Sequence, residues 1–148
     1  MSNPGPAVTT SAHPSNVSTN QALRLIGVAY NINANAIASI PVQVINSAGF
    51  LLQNLLVTDL NAGTGVSVTP TGLALGVATT AGGSSLYGAI TAANLSTPQG
   101  VSLVAPTAST TALTNQTLYV NVTAPLSTPV VGATFDVYIY GYDFSNSN

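Results

Sequence analysis

Apart from the hydroxyl-bearing residues, the side chains able to do acid–base or metal chemistry are few: one cation, Arg24, three carboxylates, Asp59, Asp136 and Asp143, and one imidazole, His13. Cysteine is absent, which removes disulfides and thiolate metal sites. A hydrolytic site needs a nucleophile beside a fixed base, and His13 sits in a Pro-, Ser- and Thr-rich stretch that supplies no fixed neighbour. It reads as a solvated histidine. Asp136 and Asp143 are an odd number of residues apart on one strand-like run, so a regular strand puts them on opposite faces and no carboxylate pair forms. Adding Asp59 does not make a calcium loop, which needs dense, local oxygen ligands. These carboxylates read instead as hydrogen-bond acceptors for backbone or as partners of Arg24. The chain is expected to be no enzyme and to use no cofactor and no metal.

Two groups of residues point to contact rather than reaction. Arg24 is the sole cation, and its planar five-donor head suits a fixed partner. It is expected either to bond Asp136 or Asp143 or to anchor a subunit contact, and the two roles are compatible. Tyr138, Tyr140 and Tyr142 alternate with Val137, Ile139 and Gly141, so the three rings share one strand face. Phe135, Val137 and Ile139 are expected to look into a core, which leaves the tyrosines for a neighbouring subunit or solvent. Arg24, Tyr138, Tyr140 and Tyr142 are therefore the candidate subunit-contact residues.

Charged residues make up 3% of the 148 residues, against about 25% in an ordinary soluble domain. One Arg cannot neutralise a series of phosphates, so a nucleic-acid partner is excluded, and a polybasic membrane contact fails for the same reason. No window reaches the ~18 consecutive apolar residues of a spanning helix, because Thr, Ser, Asn or Gly interrupts every few positions. The start, Met1-Ser2-Asn3-Pro4-Gly5-Pro6, does not have the pattern of a cleaved signal peptide. Few charges also mean little self-repulsion, as suits a chain packed into an assembly.

The elements that would position these residues read as short strands. Residues 1–20 are a flexible polar arm, with Val8 and Val17 as their sizeable apolar groups. Residues 21–144 form one domain, and 145–148 a frayed tail. Arg24, Ile26, Val28, Tyr30 and Ile32 recur at period two on a first strand, and Asn33-Ala34-Asn35-Ala36 turns into a second through Ile40, Val42 and Val44. Phe50 to Leu60 admits a helix, with Leu51, Leu52, Leu55 and Leu56 on one side, but Val57-Thr58-Asp59 and the flanking glycines favour a strand buried on both faces. One or two strands follow around Pro70 and Leu73–Val77. Ala81-Gly82-Gly83-Ser84-Ser85 is the strongest loop signal. Leu86–Ile90, Val101–Val104, Thr117–Val122 and the final run from Thr134 complete the set. Many short strands punctuated by Gly, Pro and Asn predict an all-β, antiparallel β-sandwich, jelly-roll-like in form. Asn-x-Ser/Thr triplets at Asn16, Asn94, Asn115 and Asn121 arise by composition, and Gly63-Thr64-Gly65 lacks the context of a phosphate loop.

The stretches Gly49–Thr58, Leu75–Ser84, Gln116–Thr123 and Phe135–Gly141 occur in an order that resembles small Ala/Thr/Gly-rich virion proteins of tailed bacteriophages, of the capsid decoration or cement type. The resemblance spans residues 40–142. It implies a β-sandwich seated on an icosahedral shell as a trimer or dimer, made in the host cytoplasm and carried on the capsid exterior. Its partner would be the major capsid protein, with neighbouring capsomers bridged. The long polar arm and the near absence of charge depart from that pattern. Two other classes remain open: a tail or head-fibre module whose tyrosines contact a host glycan, and a self-polymerising filament or surface-layer subunit.

Overall fold

The computed structural model describes residues 23–44, 49–63, 65–95, 102–104 and 112–143. The expected arm at 1–20 and tail at 145–148 lie outside the described residues, as does His13. Among the described residues eight strands form in order: β1 (Leu23–Asn33), β2 (Ala38–Gln43), β3 (Phe50–Asn61), β4 (Ala74–Ala78), β5 (Ile90–Thr91), β6 (Ser102–Val104), β7 (Thr117–Ala124) and β8 (Thr134–Asp143). A 3-10 turn, Ala92–Asn94, follows β5.

The strands make two antiparallel four-stranded sheets, ordered β1-β8-β3-β6 and β2-β7-β4-β5. Pairing is nested from the outside in: β1 with β8, β2 with β7, β3 with β6 and β4 with β5. The last strand is thereby interior to its sheet, with β1 on one side and β3 on the other. Inner side chains of the two sheets meet in one core that includes Ile26, Ile32, Phe50, Leu55, Phe135, Val137 and Ile139 facing Val42, Leu75, Val77, Leu118, Val120 and Val122.

The β3 segment is a strand, and its alternation differs from the expected double burial. Phe50, Leu52, Leu55, Val57 and Leu60 are buried, whereas Leu51, Leu56 and Thr58 are half-buried on the other side. A bulge between Leu52 and Asn54 re-phases the alternation, and Gln53 is left exposed. Only one face of this sheet meets the other sheet, so only one face of β3 is closed off.

The simple period-two reading of β1 also needs correction. Its pairing with β8 shifts between Leu25 and Gly27 and again between Ala29 and Ile32. The extra residues bring Ile26, Ala29 and Ile32 inward at a spacing of three and leave Val28 half-buried and Tyr30 exposed. Asn31 sits at φ 53, in the left-handed region that Asn tolerates best among non-glycine residues. Around Pro70 no strand forms beyond an isolated bridge of Ser67 to Asn61, and Pro41 lies on β2, an edge strand, where its missing N–H costs no ladder bond.

Candidate functional site: the outer face of the first sheet

Strict alternation in β8 decides what each side chain meets. Phe135, Val137, Ile139, Gly141 and Asp143 are buried, and Thr134, Asp136, Tyr138, Tyr140 and Tyr142 are half-buried on the opposite side. Because directly paired residues in an antiparallel sheet point the same way, the register names the neighbours of each ring. Tyr138 lies between Val28 of β1 and Leu56 of β3, Tyr140 between Leu25 and Asn54, and Tyr142 next to Leu51. Tyr30, displaced by the second β1 bulge, stacks edge-on against Tyr138 with ring centroids 5.7 Å apart at 86°. The result is an outward surface of rings and aliphatic groups. Its carboxylate, Asp136, is engaged: Oδ1 accepts the Asn31 backbone N–H at 2.8 Å and so holds the bulge that places Tyr30.

The structure joins the three expected tyrosines and sets Arg24 apart from them. Arg24 pairs in register with inward-facing Gly141, so it leaves the sheet on the other side. Its guanidinium approaches Asp143 Oδ2 at 3.5 Å, with the Arg24 side chain 36% exposed and that of Asp143 4% exposed. At this separation and exposure the pair contributes little by itself. Its role is to give a nearly buried carboxylate a counter-charge where the chain enters β1 and leaves β8. Asp136 and Asp143 fall on opposite faces of β8.

Gly141 lets β8 and β3 approach: a Cβ there would collide with the Leu51 carbonyl. Residues flanking the rings, Leu25, Val28, Leu51 and Leu56, had no sequence signal of their own. Their membership in the face depends on which strands lie beside β8 and on where the bulges fall.

The outer face of the second sheet is built differently. The loop of residues 79–89 folds over it, with Leu86 N–H donating to the Val77 carbonyl at 2.7 Å and Ser85 lying against Gly76. Asn121, one of the Asn-x-Thr positions, is 2% exposed under this loop. Its Oδ1 accepts the Gly82 N–H at 3.1 Å, and its Nδ2 donates to the carbonyls of Thr80 and Gly83. The strongest loop signal in the sequence is thus held in large part by one buried amide, with Ser39 Oγ also accepting from the Gly82 N–H at 3.2 Å. Tyr87 from the same loop inserts into the core and donates its hydroxyl to the Asn54 carbonyl at 3.4 Å, and burial pushes its phenol well above the ordinary value.

A cleft of ≈ 400 Å³ between this loop and β4–β5 is lined by Ser84, Ser85, Thr91, Thr123 and main chain, without an ionisable group. Among the described residues no three His, Cys, Asp or Glu side chains gather to hold a metal, and no helix is long and apolar enough to cross a membrane. The arrangement is suited to contact: broad, apolar and nearly uncharged on one sheet, and covered over Gly76 and Asn121 by its own loop on the other. No protein-family model, curated protein or solved structure matches the chain.

Proposed function

We propose that this chain is an accessory structural protein of a tailed-phage virion, a decoration or cement protein that sits on the capsid exterior as a homo-oligomer and bridges neighbouring capsomers. The observation that carries the reading is the outer face of the first sheet. Three tyrosines flanked by Leu25, Val28, Leu51 and Leu56 form an apolar surface on a chain with a single cation. Three long strands ~4.8 Å apart, with β8 ten residues long at ~3.4 Å per residue, span roughly 500 Å² before corrugation. That is somewhat over half of the ~800 Å² per partner of a standard interface.

Two further features support the reading. The nested strand pairing across two sheets supports a jelly-roll reading, an architecture used by viral capsid and lectin domains. A fold does not by itself select a function, and the resemblance in residue order favours the capsid side. The sheet edges are also blunted. Edge strand β1 carries two bulges, β2 carries Pro41, and β5 and β6 are two and three residues long. Such edges resist strand-by-strand addition, which speaks against the filament alternative. A protein that binds only the assembled lattice stabilises it by mass action, and several linked copies add avidity.

The test is cosedimentation of the purified protein with shells of the source virus prepared without it, followed by cryo-electron microscopy of the decorated particles. Regular extra density over capsomer junctions is expected. Absence of binding to shells would refute the proposal.

A further inference from the structure

Among the described residues, the large apolar or aromatic side chains left exposed are Tyr30 at 60%, Ile37 at 73%, Val66 at 56% and Val131 at 94%. The topology gathers all four at one end of the sandwich. Asn33 at the end of β1 and Asn61 at the end of β3 both pair with Thr134 at the start of β8. Ile37 therefore projects from the β1–β2 turn, Val66 from the β3–β4 loop and Val131 from the β7–β8 loop, side by side, with Tyr30 below them on the tyrosine face.

These loops are braced to one another. Asn35 and Val130 exchange two hydrogen bonds, Nδ2 to the Val130 carbonyl at 2.7 Å and the Val130 N–H to Oδ1 at 2.9 Å. Ala34 N–H donates to Ala133 O at 3.0 Å, Leu126 N–H to Ala34 O at 2.9 Å, and Ser127 N–H to Thr71 O at 2.9 Å. The Ile37 and Val131 tips are thus presented on a preorganised frame, and docking them need not order their turns.

We infer that this end is the foot by which the protein docks on a repeated, uncharged protein surface carrying shallow apolar depressions, with Ile37, Val66 and Val131 as the inserted groups. The inference rests on the virion reading, under which that surface is the capsid exterior. Charge chooses the class of partner. Residues 34–37, 62–73 and 125–133 include no ionisable side chain, the nearest carboxylates are Asp59 on β3 and Asp136 on β8, where the Asn31 N–H occupies Asp136 Oδ1, and Arg24 lies at the far end of β1, beside Asp143. A lipid surface would call for cations near the headgroups, and the chain's one cation lies at the other end. A lattice is called for because three lone aliphatic tips make a small contact, which becomes firm only when linked copies bind together.

The experiment compares wild type, Val131→Asp, the triple variant Ile37→Ser/Val66→Ser/Val131→Ser, and Thr123→Asp on the other sheet. Each is first shown folded by thermal unfolding, then cosedimented with protein-free shells and floated with neutral phosphatidylcholine vesicles. The expected result is shell binding by wild type and Thr123→Asp, a loss of roughly 100-fold in apparent affinity for Val131→Asp and the triple variant, and no flotation. Wild-type-like shell binding by both foot variants overturns the inference and leaves the virion reading standing. No shell binding by wild type overturns both. Flotation of wild type that the foot variants lose assigns this end to lipid and overturns the inference.

Discussion

Substituting Tyr140→Asp separates the folding role of β8 from its role as a contact. Tyr140 is half-buried and faces outward between Leu25 and Asn54, so the domain loses one cross-strand packing pair, ~0.2–1 kcal/mol. It also gains a residue disfavoured in strands, on a scale that spans ~1 kcal/mol. Against the ~5–15 kcal/mol of a typical domain, the chain stays folded. In an interface closed over the tyrosine face the new carboxylate has no cation to meet, since Arg24 leaves the sheet on the other side and is held by Asp143. An uncompensated buried charge costs about 3–5 kcal/mol. At ~1.4 kcal/mol per decade, the association weakens by roughly 10²–10⁴ for each substituted ring, and in a two-fold contact the ring is replaced on both sides. Sedimentation velocity over a wide concentration range reads the effect, with Thr123→Asp, exposed on the second sheet, as the matched charge control. A folded Tyr140→Asp that sediments as the same oligomer as wild type, or a wild type that is monomeric throughout, would show that the tyrosine face is not the subunit contact.

Asn121→Ala removes the amide that meets Gly82, Thr80 and Gly83 under the 79–89 loop. A cost of about 2–3 kcal/mol is expected, a drop of roughly 5–10 °C in Tm by calorimetry, and an unchanged Tm would contradict the staple. Tyr87→Phe tests the buried phenol. In wild type the unfolded chain releases this proton near pH ~10 while the folded chain holds it, so stability falls as pH rises above ~10, by at most ~1.4 kcal/mol per unit. Urea midpoints of wild type and Tyr87→Phe should diverge between pH ~9 and ~11, and parallel curves would count against the assignment.

Much of the fold was legible because its signals are local. The alternation of Phe135, Val137 and Ile139 with Tyr138, Tyr140 and Tyr142 follows from the two-residue period of a strand and holds whatever lies beside it. Gly and Pro mark the loops through their own backbone preferences. Low charge argues against phosphate and polybasic membrane contacts from composition alone.

What escaped the sequence depends on pairs of residues distant in the chain. Whether Arg24 would meet Asp136 or Asp143 was set by the β1–β8 register, which puts Arg24 opposite Gly141 and spends Asp136 on the Asn31 N–H. The β1 bulges accommodate ten residues of β8 beside a longer strand and cannot be read from β1 alone. Asn121 reads as an exposed strand residue until the 79–89 loop closes over it. Ile37, Val66 and Val131 look like stray aliphatics in three unrelated turns until the nested pairing brings those turns to one end. Composition and period determined that this chain is a lightly charged, strand-built domain whose last strand is the richest in rings. Only tertiary structure decided which strands flank those rings and which loops share an end, because strand pairing is fixed by packing between segments up to a hundred or more residues apart rather than by anything within one segment.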